Sequence, residues 1–383
     1  MPPADNLLFT PYTLRGLTFA NRIVISPMSQ YSAVEGKVQP WHREHTLAQA
    51  RGGAAAFMVE ASAVTRDGRG TWGDLGIWND DHIEGLRELA DIIARQGAIP
   101  AIQIGHAGRK ASTQRPWEGN RPLATAHGDE PAWPTLGADA IPIAPGMDPP
   151  RRLDADGLAG ICGAFAAAAR RAAKAGYRMV EVHAAHGYLL HSFLSPLSNR
   201  REDEYGGSLE NRMRFPLAVV RAVRDALPAD CVLSVRISAV DGASGGWTLA
   251  DSIELARRFK ALGVDIVDCS SGGILGPATA STDPQAVRRG PGFQVPFANA
   301  VKHEAGIPTL AVGLIVQASQ AQAILAENKA DLIAIGRQAL VDPHWPLRAR
   351  RELGLDPDYA AWPRQYGWWL ARRPETGPQT SNR

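Results

Sequence analysis

Residues 181–207 read EVHAAHGYLLHSFLSPLSNRREDEYGG, and three histidines and two tyrosines sit in this one stretch. An imidazole can ligate a metal, exchange a proton, or donate an N–H bond to an oxygen. The HxxH spacing of His183 and His186 is a weak metal signal. Neither a cysteine nor an obvious carboxylate completes a ligand set, so no metal is expected. The run EVHAA reads as a strand that ends at His183, and His186-Gly187 enters the following loop. Two N–H donors at such a strand end can serve one oxygen together, as an oxyanion hole does. Tyr188, just beyond, could supply a proton. The plainer role of anchoring the loop fits His191, within LLHSFLSP, better than the other two.

Other polar residues fall at the ends of apolar runs. Arg236 interrupts VLSVRIS, and a guanidinium there needs an anion or its desolvation goes uncompensated. A reduced flavin would be one such anion, and an ion-pair network within the protein would be another. Gln103, in IPAIQIGHAG, could offer paired hydrogen bonds to a flavin's pyrimidine edge. Gly313 and Gly336-Arg337 close the runs AVGL and AIGRQAL, where glycine turns and an arginine suit a phosphate. A local cap or salt bridge is the alternative for Arg337.

Such residues need a frame. Eight near-continuously apolar runs, at 21–29, 55–64, 99–108, 179–185, 232–238, 265–271, 308–314 and 331–338, read as buried parallel strands. Amphipathic stretches lie between them, several opening on Ser, Thr or Asp and closing on Gly. In TLADSIELARRFKALG the apolar stripe runs through Leu249, Ile253, Leu255, Ala256 and Phe259. This alternation predicts the α/β class and a single (β/α)8 TIM barrel with function at the strand C-termini. A doubly wound sheet is the rival, but IVISPMSQYS is not followed by the glycine-rich nucleotide turn that fold usually carries. Residues 1–370 form the expected barrel. Residues 110–153, rich in Pro, Gly and Trp, form a lid after strand 3, and 371–383 a disordered tail.

The 383 residues carry a net charge of +2 with both signs interspersed, so nothing calls for nucleic acid or an anionic membrane. The N-terminus lacks a signal-peptide pattern, and no apolar run reaches membrane-spanning length. Three scattered cysteines, Cys162, Cys231 and Cys269, suit a reducing cytoplasm.

The stretches NRIVISPMSQYS, QIGHAGRKAS, EVHAAHGYLLHSFLSPLSNRREDEYGGSLENRMRF and AIGRQAL together resemble the old yellow enzyme family of flavin-dependent ene reductases. The resemblance covers nearly the whole chain. GRKAS and WHREHTLAQARGG look closest to the bacterial thermophilic-like subgroup that includes xenobiotic reductases. It implies a barrel holding noncovalent FMN, reduced by NAD(P)H, with a small α,β-unsaturated carbonyl compound as substrate. By matched positions, Ser26, Pro27, Met28 and Ser29 would run along the flavin and Ala61 would line it. Gln103 and Arg236 would face its pyrimidine edge, and Gly313, Gly336 and Arg337 would hold the phosphate. His183 and His186 would bind the substrate oxygen, Tyr188 would donate the proton, and Tyr31 would line the pocket.

Two departures stand out. Ser29 occupies a position where the subgroup usually has cysteine, which implies an altered flavin potential. Trp368 and Trp369 occur where some members place an arginine from the partner subunit, which implies a homodimer with an indole walling the neighbouring pocket. The same scaffold could also run as a dehydrogenase or desaturase, reduce nitro compounds or nitrate esters, or bind flavin as a redox sensor.

Overall fold

The computed structural model describes residues 4–125, 130–144, 147–275 and 285–373. The tail expected at 371–383 lies outside the described residues from 374 on. Parts of the expected lid, 126–129 and 145–146, also lie outside them.

Each of the eight apolar runs forms a strand: β1 (Ile23–Ile25), β2 (Ala56–Ala63), β3 (Ile99–Gly105), β4 (Met179–Ala184), β5 (Val232–Ser238), β6 (Ile266–Ser270), β7 (Thr309–Ala311) and β8 (Leu332–Ile335). They pair in sequence order, all parallel, and β8 pairs with β1 to close the barrel. The strand is shorter than its run in β1, because Pro27 has no N–H for a ladder and the chain turns off to Tyr31 at φ +52°. The helices are α1 (Pro40–Ala50), α2 (Ile83–Arg95), α3 (Ala155–Lys174), α4 (Leu189–Leu194), α5 (Leu209–Ala226), α6 (Leu249–Ala261), α7 (Val295–Ala300), α8 (Ala318–Ala326), α9 (Arg337–Val341), α10 (Trp345–Glu352) and α11 (Arg364–Leu370).

Asp154, Ser208 and Thr248 cap α3, α5 and α6 by accepting the backbone N–H of Gly157, Asn211 and Asp251. Of the stripe on α6, Ile253, Leu255, Ala256 and Phe259 are buried against the barrel, and Leu249 is half-buried. α7 continues as a π-turn over Val301–Ala305 and stops at Gly306, whose φ of +64° closes the helix.

Strand side chains alternate between the helices and the barrel axis. At the N-terminal end the inward positions are apolar: Val24, Met58, Ala101, Met179, Val232, Ile266, Leu310 and Leu332 form one cluster. Leu14 and Phe19, from the hairpin of Tyr12–Leu14 and Leu17–Phe19, plug it from below. Two residues further along, the same parity brings Ser26, Glu60, Gln103, Glu181, Ser234 and Asp268 inward. The next step brings His183, Arg236 and Ser270. The barrel is therefore apolar at its floor and polar at its mouth.

Candidate active site

A cavity of about 770 Å³ opens at the C-terminal ends of the strands. Its wall includes Ser26, Pro27, Met28 and Tyr31 after β1, His186 and Tyr188 after β4, Arg236 on β5, Ser270 at the end of β6, Gly313 after β7, and Gly336 and Arg337 after β8. From the excursion after β3 come Asn120, Pro122, Ile143 and Met147. Arg109 ties this excursion down, donating to the carbonyls of Ile141 and Pro142 and to that of Ile274 beyond β6. Ser29, Ala61, Gln103 and His183 are not among the lining residues. Ala61 lies at the irregularity in β2 between Val59 and Ser62, and is the one residue of that strand not fully buried.

His183 Nε2 and His186 Nδ1 lie 3.2 Å apart. His183 Nδ1 accepts the Ala185 N–H at 3.1 Å, which leaves the proton of the neutral ring on Nε2, facing His186. His186 has φ +60°, a strained value for a side chain other than glycine. Its N–H donates to Ser238 Oγ at 2.9 Å, and Ser238 Oγ donates to the Gly272 carbonyl at 2.7 Å. Gly273 approaches so closely that a Cβ there would meet His186 Cα at 2.5 Å. Burial, and then the Arg236 charge, hold both imidazoles well below their ordinary pKa. Both are therefore neutral at physiological pH, and each ring carries a single N–H.

Tyr188 stacks obliquely on His183, with centroids 4.6 Å apart. Burial pushes its phenol far above the ordinary value, with Asp74 adding to the effect. Across the cavity, burial and the charge of Asp74 push Tyr31 up to about 12, against a hydrogen bond from Ser29 that lowers it. His191 anchors the loop, as its position in LLHSFLSP indicated: its Nδ1 accepts the Gly187 N–H at 2.8 Å.

The residues expected to meet the cofactor lie as follows. Ser26 Oγ is buried and has no hydrogen-bond partner among the described residues. Gly313 has φ +120°, and a Cβ there would press on Phe293 and Gln294 at 3.1 Å, so only glycine passes the chain this close. Gly336 leads directly into α9, and Arg337 is the first residue of that helix, exposed at the cavity wall. Arg236 Nε lies 3.3 Å from Asp268 Oδ2 on the next strand, and burial pushes the fully buried Asp268 carboxyl upward against the Arg236 charge. Gln103 has one amide N–H committed to Glu181 Oε1 at 2.8 Å, leaving its Oε1 and second N–H for any ligand. Glu181 also accepts from Ser234 at 2.7 Å, and burial together with the Asp268 charge drives its carboxyl upward.

Lys110, Glu181, Asp268 and Ser270 were not picked out as site residues from the sequence. Inward parity, counted from Met179 and Ile266, would have found three of them. Lys110 belongs to GRKAS, and it donates through Nζ to the His186 carbonyl at 2.6 Å. Burial, and then Arg109, bring its ammonium down to about 8. Trp368 and Trp369 lie on α11, away from the cavity wall of their own chain. They are 49% and 69% exposed and meet edge to face at 4.6 Å. Arg372 lies over the Trp368 ring at 4.0 Å.

The profile of the NADH:flavin oxidoreductase / NADH oxidase family matches residues 7–356. The chain is 44% identical to an NADPH dehydrogenase of Geobacillus thermodenitrificans over 353 residues, 92% of this chain and 96% of that protein. It is 42% identical to an NADPH dehydrogenase of Bacillus subtilis, covering 91% of this chain and 96% of that one. Among solved structures, morphinone reductase superposes with a TM-score of 0.73 at 27% identity, covering 92% of this chain and 91% of that one.

Proposed function

The chain belongs to the old yellow enzyme family of FMN-dependent NAD(P)H oxidoreductases, and from that premise we propose that it reduces the activated C=C bond of small α,β-unsaturated carbonyl compounds. The observation that carries this reading is the 3.2 Å approach of His183 Nε2 to His186 Nδ1, with Tyr188 stacked beside them. Bare cofactor binding needs none of these three residues.

Bound FMN, reduced by NAD(P)H, would supply hydride chemistry at the substrate Cβ. Ser26, Pro27, Met28, Gly313, Gly336 and Arg337 would hold it from the cavity wall, Arg236 would meet its pyrimidine edge, and Ser29, Ala61 and Gln103 would support it from behind that wall. The orphaned Ser26 hydroxyl and the crowded Gly313 turn support this placement.

His183 and His186 hold the carbonyl oxygen through one N–H each. Because both rings are neutral, neither surrenders its proton, and the bonds strengthen as enolate charge gathers on oxygen. Tyr188, kept protonated by burial, delivers the proton to Cα. Tyr31 and the residues of the excursion shape the substrate's surroundings. The enzyme works as a homodimer in which an indole walls the partner's pocket, a reading supported by the exposed tryptophan pair on α11, and in the cytoplasm, a reading supported by its three scattered cysteines.

The test is anaerobic. Purified protein is yellow and bleaches with NADPH, and 2-cyclohexen-1-one restores the colour within a catalytic time. Colourless protein that takes up no added FMN would sink the reading entirely. Reoxidation by a nitrate ester and not by the enone would replace enone reduction with the nitrate-ester activity.

A further inference from the structure

Ser270, at the last position of β6, is 4% exposed and places its Oγ 2.6 Å from His186 Nε2. The hydroxyl has one proton to give. Its other acceptor, Gln294 Oε1, lies at 3.4 Å and already accepts from Ser271 Oγ at 2.8 Å. Gln294 is itself held, donating through Nε2 to the Val312 carbonyl at 3.2 Å. The shorter and less contested bond for the Ser270 proton runs to His186.

We propose that Ser270 is a positioning residue whose hydroxyl donates to His186 Nε2 and holds that ring as the Nδ1–H tautomer, the form that presents a second N–H beside that of His183. The proposal rests on the reading of the histidine pair as an oxygen clamp. A neutral imidazole carries one proton, and the partner of one nitrogen decides which nitrogen has it. With the bond reversed, His186 Nε2–H would donate to Ser270, and Nδ1 would become an acceptor for His183 Nε2–H. The two histidines would then satisfy each other, and neither would offer an N–H to a carbonyl. The contact is rigid on both sides. Ser238 fixes the His186 backbone, and Gly273 packs backbone to backbone against it. Strand pairing of β6 with β5 places Ser270 directly beside Ser238.

The experiment uses FMN-loaded protein labelled with nitrogen-15 at histidine, with 4-chlorophenol as the enolate-like oxygen ligand. Long-range proton–nitrogen spectra assign the tautomer, and perturbation of the flavin's visible spectrum gives the affinity. In the wild type with 4-chlorophenol, His186 carries its proton on Nδ1. Ser270→Ala shifts the proton toward Nε2 and weakens 4-chlorophenol roughly ten-fold, the scale of losing a partner that orients an imidazole. Ser270→Thr, which keeps a hydroxyl, restores both readouts. A Ser270→Ala protein that retains the Nδ1–H form and the wild-type affinity overturns the proposal and leaves the clamp intact. Wild-type protein in which 4-chlorophenol perturbs neither His183 nor His186 overturns the clamp itself, and this inference with it.

Discussion

His191 Nε2 lies 2.9 Å from Asp241 Oδ1, with both side chains sealed from solvent. Through the Gly187 N–H on His191 Nδ1, this contact ties the turn that carries His186 and Tyr188 to the loop after β5. Asp241 Oδ2 also accepts from Ser195 Oγ at 2.6 Å and from the Trp247 N–H at 2.7 Å. Asp241→Asn turns one of these acceptors into a donor, and a stability loss of about 3 kcal/mol is expected from breaking so buried a set. Burial by itself would raise the Asp241 carboxyl, but His191 and the donors hold it below its ordinary 3.8. Its contribution is therefore full above that value and is lost as pH falls through the depressed one. Urea unfolding at neutral and acid pH checks both parts. A variant as stable as wild type at neutral pH would show that the contact carries no weight.

Tyr188→Phe keeps the ring on His183 and removes only the proton. Reduction of the flavin by NADPH should be unchanged, while reoxidation by the enone should slow by roughly 100-fold or more, the usual range for a lost general acid. Stopped-flow measurement of the two half-reactions separates them. Equal reoxidation rates would assign the proton to another donor.

Lys110 sets a pH dependence at the alkaline end. Its ammonium falls from the ordinary 10.5 to about 8 because it is buried, so the cost of keeping it charged is full below the lower value. Between these two values the unfolded chain binds more protons than the folded one, and stability contributed at this site rises with pH. Lys110→Met should abolish that local rise. Thermal unfolding of both proteins across alkaline pH reads it directly, and parallel curves would exclude Lys110 as the source.

Ser29→Cys exchanges a hydroxyl that lowers the Tyr31 phenol against burial for a softer, weaker donor. The midpoint potential of the bound flavin is expected to change, and so is the response of the Tyr31 side of the pocket to substrate. Potentiometric titration of the two proteins is the check. Identical potentials would reduce Ser29 to a spacer.

On the proposed homodimer, Trp368→Ala and Trp369→Ala together should weaken the assembly and raise KM more than they lower kcat, since the proposal puts the exposed ring on the partner's pocket wall and not on the reacting atoms. Sedimentation velocity and steady-state kinetics on one preparation test this. A wild-type monomer with full activity would remove the dimer and the shared pocket at once.

Much of this molecule could be read from its sequence, because the signals were local. Near-continuous apolar runs such as VLSVRIS announce strands buried on both faces, and caps such as Asp154, Ser208 and Thr248 mark where helices begin. The histidine pair and Tyr188 were legible because three chemically able side chains fell within six residues at a strand end. The full length of the first run was not realised as strand, since Pro27 cannot join a ladder.

What the sequence by itself determined was the set of elements and the order in which they occur. From that order follow a parallel barrel and polar groups gathered at one end. Only the tertiary structure decided who meets whom across that mouth. Gln103 meets Glu181 from 78 positions away, His186 meets Ser270 from 84, and Arg236 meets Asp268 on the adjacent strand. Such pairings depend on strand register and on closure of the barrel. Neither leaves a mark in any short window of residues, because each is a relation between segments whose local preferences are already satisfied alone.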